Sequence, residues 1–447
     1  EPDGADFRAV YRVGASVHDL AIDEQDNIFV AAGETGLLKL SGALEPQWSK
    51  QPGYVHRVDV GGDLVVALQP DNPADADNSP GRGKLHVYES SDGAENTSFE
   101  GHRHTLDVCY SAVRDTFVTV GWRQARADGN PVQIAYLRGT LRSGDTAWTA
   151  YDWSTDNGAD DFINRPENNM ADTRGYRCAV APDGDVYAAF EAAGGNHIFR
   201  YDPLDVSKTV DLVGGDKYHE FYNTASEHKL FFGRFDARSG EFVRGQQLTG
   251  RLSSNDSGNT VRIKGGEIDV DANGQVYLAG SAAYGLPLTF LPDGTGEYTG
   301  GAYLVVMNAE LDERRYVTRM TPNGGASALA VRAFSDGTRI VYGGSKPLEK
   351  DEFYRVDPIQ PDEGGGDRDG FVTVIGGEAG EPVDNGGDDG DASGDDSSDD
   401  DSSDDGASGS ADDGCGCNAT GRAPVDLGAV LVILLFVACR WRRARAL

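Results

Sequence analysis

Histidine, cysteine and methionine are scarce in this chain of 447 residues, at eight, five and three. No Gly-x-Ser-x-Gly elbow, His-Glu-x-x-His pair or phosphate-cradling loop occurs, and no histidines fall in a catalytic spacing. The sequence therefore makes no positive case for an enzyme, although its many acids would hide a hydrolytic carboxylate pair. Basic residues are also short, 40 against 73 acidic, for a net charge of −33. That excess disfavours nucleic acid and anionic membrane surfaces as partners. Helical periodicity is nearly absent from residues 1–375. The chain opens at Glu1 rather than Met, as an already trimmed, exported protein would.

What is present in 1–375 is a recurring pair of strands. An apolar run, a turn of Asp, Asn or Gly, and a run of β-branched and aromatic residues ending in a small residue appear at 20–33 (LAIDEQDNIFVAAG), 178–190 (CAVAPDGDVYAAF) and 268–280 (IDVDANGQVYLAG). Weaker copies lie at 58–68, 106–122 and 328–344. Their turn chemistry predicts β-hairpins. Second strand–turn–strand units follow several copies, at 131–153, 229–248 and 302–320. Two hairpins make a four-stranded sheet, and such sheets recurring every ~40–70 residues predict a β-propeller. The expected fold is all-β, with six or seven four-stranded blades; the seventh is left open by residues 205–265. The later copies, Asp271–Gly280 followed by Ala302–Met320 above all, resemble an extracellular propeller repeat over about half of this region. The WD-repeat reading of 99–122 lacks its Trp-Asp, and SGDTAW (143–148) holds only fragments of a sialidase Asp-box. Phe7–Val13 and Phe371–Ile375, the first and last β runs, are candidates for the pair that closes the ring.

Residues 376–414 hold 15 acids, no Lys or Arg and no aromatic residue. This composition cannot bury enough apolar surface to offset the entropy of ordering, so a disordered, self-repelling stalk is expected. It would span about 35 Å as a neutral coil and up to ~130 Å fully stretched. Setting aside those acids, Asp426 and the five arginines at 422, 440, 442, 443 and 445 leaves 35 basic and 57 acidic residues, a charge of −22 on 1–375.

The third segment, 415–447, begins Cys415-Gly416-Cys417, continues into the apolar run Leu427–Cys439 (LGAVLVILLFVAC) and ends in arginines. This layout resembles the MYXO-CTERM tail of myxobacterial surface proteins. The resemblance implies an address: export, processing or lipidation at Cys415 or Cys417 by a sortase-like protease, and display on the outer surface of a Gram-negative bacterium. A helix of 13 residues would cover about 20 Å of a bilayer core of about 30 Å. A transient signal suits that length better than a permanent anchor, with a retained membrane helix over 427–439 as the competitor. Cys439 reads as a small hydrophobe.

Candidate sites in 1–375 are few. Cys109 and Cys178 lie at near-equivalent places in two inner-strand candidates and, in an oxidising compartment, form either a disulfide or two buried thiols. Asp269-x-Asp271-x-Asn273-Gly274 starts like a calcium loop, but position twelve is Gly280 where a Glu is needed, so a turn holding its own backbone is the better reading. His102 and His104 would share a strand face, with His86 and Asp107 as conceivable further metal ligands. The acidic loops Asp71–Asp77 and Asp156–Asp161 leave Ca²⁺ open as a cofactor. The expected role is a non-catalytic binding or adhesion module for glycan, protein or matrix; the alternative is an extracellular propeller lyase, glycosidase or sugar oxidoreductase. Carboxylates or histidines converging at the channel mouth would favour the enzyme, and a face rimmed by Trp122, Trp148 and Trp153 would favour binding.

Overall fold

The computed structural model of the protein describes residues 11–376 other than 128–129, 154–170, 195–196, 206–207, 211, 213–227, 253, 256, 287–297, 320–325, 334–338 and 348–367. Residues 377–447, with Cys415, Cys417 and the apolar run 427–439, and the acidic loop Asp156–Asp161 lie outside the described residues.

The chain forms six antiparallel blades in sequence order. Blade 1 is β1 (Asp19–Ile22), β2 (Ile28–Ala31), β3 (Leu37–Leu40) and β4 (Pro46–Lys50); blade 2 is β5 (Arg57–Gly61), β6 (Leu64–Gln69), β7 (Lys84–Glu89) and β8 (Glu95–Glu100). Blade 3 is β9 (His104–Ser111), β10 (Thr116–Ala127), β11 (Asn130–Thr140) and β12 (Thr146–Tyr151); blade 4 is β13 (Thr173–Val180), β14 (Val186–Ala193), β15 (His228–Phe235) and β16 (Phe242–Leu248). A two-residue ribbon, β17 (Gly250–Arg251) with β18 (Gly258–Asn259), precedes blade 5, which is β19 (Val261–Val270), β20 (Val276–Tyr284), β21 (Thr299–Met307) and β22 (Arg314–Arg319). Blade 6 shows β23 (Ser327–Ala333), β24 (Arg339–Pro347) and β25 (Arg368–Gly376). The fold is an all-β propeller. The described strands within 205–265 belong to blade 4, the ribbon and the start of blade 5, and the described strands form six blades. Among the described residues helix is confined to two 3-10 turns, Pro73–Asp75 and Ile198–Arg200, and no helix is long and apolar enough to cross a membrane.

Burial follows position within a blade. The second strands β2 and β6 are buried on both faces because neighbouring blades sandwich them. The outer strands β4 and β8 are largely open and polar. Apolar clusters fill the gaps between blades. Phe29, Val58 and Val65 pack between blades 1 and 2, Val66, Val108 and Phe117 between 2 and 3, and Tyr277, Leu304 and Tyr342 between 5 and 6. Phe371–Ile375 falls in β25, where Phe371 pairs with Gly344 and Ile375 with Ile340. Its expected closing partner begins outside the described residues; Tyr11 and Val13 pack on Ile28 and Val30 of blade 1.

Candidate functional site: the channel girdle and its mouth

The inner strands β1, β5, β9, β13, β19 and β23 stand side by side in that order. A strand on the inside of a ring must present one face to the central channel, and that face is charged here. Asp19, Arg57, Asp59, Asp107, Arg177, Glu267, Asp269 and Arg332 draw a contribution from every blade. Each seam between blades is bridged by one of them. Asp19 accepts the N–H of Val58 (3.0 Å), Asp59 that of Tyr110 (2.7 Å), Asp107 that of Cys178 (3.1 Å) and Asp269 that of Ala333 (2.7 Å). At the two remaining seams arginines donate instead: Arg177 to the carbonyl of Gly266 (2.7 Å) and Arg332 to that of Leu20 (3.0 Å). Each bond replaces a water contact that the inner-strand backbone would otherwise need.

Five acids face three arginines, and burial dominates the titration of several. It raises Asp59 to about 7 against the opposing N–H groups of Tyr110 and Val60. It raises Asp107 to about 7 against Arg177 and Arg57. Glu267 and Asp269 are raised for the same reason, opposed first by Arg177 and Arg332 respectively. Arg332 stays charged: burial works against it, but Asp269, Glu267, Asp19 and Asp59 together outweigh that.

One end of the channel is covered by the β6–β7 connection, residues 70–83. Its acids fold it. Asp71 accepts the N–H of Arg82 (2.9 Å), and Asp77 accepts from Arg57 and pairs with His56, both at 3.0 Å. His56 is pushed down to about 4, by burial first and by Arg57 second. The His56 hydrogen bond holds Asp77 well below the usual carboxylate range, with Arg57 assisting against burial. The His18 ring lies 5.2 Å from that of His56, and His18 shares a 2.8 Å hydrogen bond with the Tyr54 hydroxyl. Trp122 donates to the Asn78 carbonyl (2.8 Å) and so pins the connection from blade 3.

The conceivable metal ligands do not converge, and the calcium-like segment is a turn that holds its own backbone. His102 turns to Asp152 (3.0 Å), His104 stacks on Trp122 at 4.1 Å, His86 pairs with Gln69 (3.0 Å), and Asp107 belongs to the girdle. Asp271 takes the N–H groups of Asn273 (2.8 Å) and Gln275 (2.9 Å) and the Tyr277 hydroxyl (2.9 Å), which makes it the hub of its own turn. Gly274 supplies that turn's positive φ of 78°. Among the described residues no group of three or more His, Cys, Asp or Glu is placed to hold a metal.

Trp122, Trp148 and Trp153 do not form the aromatic rim that would favour binding, being only 5, 8 and 3 % exposed. Trp148 donates to the Ala237 carbonyl (3.0 Å) in blade 4, and Trp122 lies between His104 and the Arg174 guanidinium, which sits 4.5 Å from its ring. The carboxylates do converge, but within the channel wall, each on a neighbouring blade. Cys109 and Cys178 are joined as a disulfide across β9 and β13, their Cα atoms 6.0 Å apart.

The girdle residues Asp19, Arg57, Asp59, Arg177, Glu267 and Arg332 were not singled out by sequence reasoning. The available signal was a charge inside each inner-strand candidate, as in Arg57-Val-Asp-Val60 and Glu267-Ile-Asp-Val270.

No family model matches the chain, and no curated protein does. Among solved structures it is similar to Kuenenia stuttgartiensis hydrazine synthase, at 9% identity over 75% of this chain and 78% of that one, with a TM-score of 0.43. It is also similar to the WD40 β-propeller domain of Doa1, at 10% identity over 76% of this chain and 92% of that one, with a TM-score of 0.35.

Proposed function

We propose that the protein is a non-catalytic binding module, exported and displayed at the cell surface on its acidic stalk, which captures a glycan or matrix component at the loop-covered mouth of the propeller. One observation carries the binding reading: the converging carboxylates are committed to the seams. Asp19, Asp59, Asp107 and Asp269 each accept a backbone N–H of the next blade. A catalytic carboxylate must reach its substrate, and here each already commits an acceptor oxygen to the backbone of a neighbouring blade. The Cys109–Cys178 disulfide supports export, since such bonds persist in oxidising compartments. The Cys415-Gly416-Cys417 element, the apolar run and the terminal arginines support sorting and processing by a sortase-like protease.

The runner-up, a propeller enzyme, is favoured by Asp59 and Asp107, both held at about 7, where a carboxyl group can act as a general acid. The two readings part in one assay. The full chain is incubated with immobilised envelope polysaccharide, and retention and soluble product are both measured. Retention without product is expected. Product release that disappears in Asp107→Asn, with the fold intact by circular dichroism, would replace binding with catalysis. Mass analysis of the C-terminus from the native envelope tests the address: a chain ending near Cys415 or Cys417 is expected, and one ending at Leu447 would mean a retained anchor.

A further inference from the structure

Arg174, at the start of β13, and Lys264, in β19, reach the channel mouth from adjacent blades. In a body that carries −22, cations are outnumbered, and most here have a carboxylate. Arg262 has Glu191 (3.0 Å), Arg234 has Asp185 (2.9 Å) and Arg57 has Asp77 (3.0 Å). Arg174 and Lys264 have none among the described residues. Both instead point at one neutral atom, Oδ1 of Asn78, which accepts from Arg174 Nη1 at 2.5 Å and from Lys264 Nζ at 3.3 Å. Arg174 is further fixed by Gln133 Oε1 and by the Trp122 ring. The guanidinium is thus aimed before any ligand arrives, which lowers the entropy lost on binding. The Asn78 backbone is held separately, through its carbonyl, by Trp122 Nε1 (2.8 Å). Its side chain also donates from Nδ2 to Asp75 Oδ2 at 3.4 Å, so moving it aside gives up that one contact and leaves the backbone of the connection held.

Two cations converging on an amide oxygen are underused. A charged oxygen accepts hydrogen bonds roughly twice as strong as a neutral one, and guanidinium geometry matches carboxylate and sulfate. We propose that Arg174 and Lys264 form a site for the carboxylate or sulfate oxyanion of an acidic saccharide, and that Asn78 Oδ1 stands where the anion would bind. This names a ligand class for the proposed binding face and rests on that reading. Non-specific ion exchange does not explain it, because the body as a whole repels anions.

Calorimetry on the full chain tests the site with trigalacturonate, neutral trigalactose and inorganic sulfate at fixed ionic strength. Trigalacturonate is expected to bind, roughly tenfold or more weaker in Arg174→Gln/Lys264→Gln. Asn78→Ala should tighten it several-fold by removing the competitor, and Asn78→Asp should abolish it by placing a carboxylate in the site. A purely structural role for Asn78 would make alanine and aspartate both neutral or both harmful. Melting temperatures of all variants confirm folding. Sulfate binding as tightly as the trimer, with the same response to the variants, would support the site and assign it to a free oxyanion. Trigalacturonate binding that the double variant leaves unchanged overturns the site, as does failure to bind both wild type and Asn78→Ala. Trigalactose binding insensitive to the variants also overturns it while leaving the binding-module reading standing. Cleavage of the trimer would overturn that reading as well.

Discussion

The seam between blades 3 and 4 and the seam between blades 6 and 1 perform the same task with different means. At the first, the Cys109–Cys178 disulfide crosses β9 and β13, and Asp107 bonds the Cys178 N–H. Behind them lies an aromatic core in which Tyr151, Phe190, Phe199, Phe231 and Phe235 meet, the Phe199 and Phe231 rings stacked at 4.6 Å. At the second, the described residues offer Arg332 to the Leu20 carbonyl (3.0 Å), while the nearest apolar cluster draws on blade 1 and residues 11–17 alone. Blades 3 and 4 are neighbours in sequence. Blades 6 and 1 must be brought together from opposite ends of the ring, against the largest loop-closure entropy. Among the described residues, apolar and covalent cohesion lies where contacts are local, and the Arg332 bond across the 6–1 seam is one that water can reach, since 42 % of the Arg332 side chain is open.

The largest test of that contrast is reduction. The two cysteines are 69 residues apart, and a cross-link over such a loop stabilises by about 4 kcal/mol in the chain-entropy account. Melting with and without reductant should therefore differ by several degrees, and the same loss should appear in Cys178→Ala without reductant. An unchanged melting temperature would remove the special status of the 3–4 seam and leave its aromatic core as the only difference.

The propeller was legible because its turn chemistry repeats: Asp23, Asp271 and their neighbours hold tight turns between apolar runs, and these mark hairpins whatever surrounds them. The count stayed between six and seven because residues 205–265 depart from the pattern; β17 and β18 are two residues each, too short to leave a periodic trace. The girdle was not legible for a different reason. Arg57-Val-Asp-Val60 alternates like any half-exposed strand, and only ring closure turns its polar face inward. The places of the tryptophans were not legible because a buried indole needs an acceptor for its N–H, and Trp148 and Trp122 find the carbonyls of Ala237 and Asn78. Those acceptors lie 89 and 44 residues away in sequence, beyond any local pattern.

A change at the weaker seam should cost less but act more locally. Arg332→Met keeps the stem and removes the donor to Leu20 and the countercharge facing Asp269, 3.5 Å away. Because the side chain is partly open to water, the ion pair is screened, and the expected loss is about 1–2 kcal/mol. Hydrogen exchange is the sharper readout. Amides of β1 and β23 should lose protection before those of β9 and β13, which stay cross-linked. Uniform loss around the ring would mean that closure is shared by all seams, and the comparison would fail.

The 2–3 seam, with neither disulfide nor arginine at its bridging bond, gives the smallest and most specific effect. Among the girdle residues it is Asp59 that bridges this seam, through the Tyr110 N–H at 2.7 Å, and burial raises it to about 7, opposed by the N–H groups of Tyr110 and Val60 and by Arg332, with Asp19 adding to the rise. In the unfolded chain the same carboxyl releases its proton near 3.9. From about pH 4 to 7 the native state therefore binds the proton more than the unfolded state does, and its contribution to stability declines as pH rises through that window. Asp59→Asn keeps the shape and the acceptor but cannot ionise. The variant should match wild type near pH 4 and exceed it above pH 7 by about 1 kcal/mol, after allowance for water in the channel. Urea titrations at pH 4, 6 and 8 measure the difference. A gain that is constant across those values would trace it to packing, whereas a loss at pH 8 would mean that the ionised carboxylate, like the disulfide one seam away, is a net support of the ring.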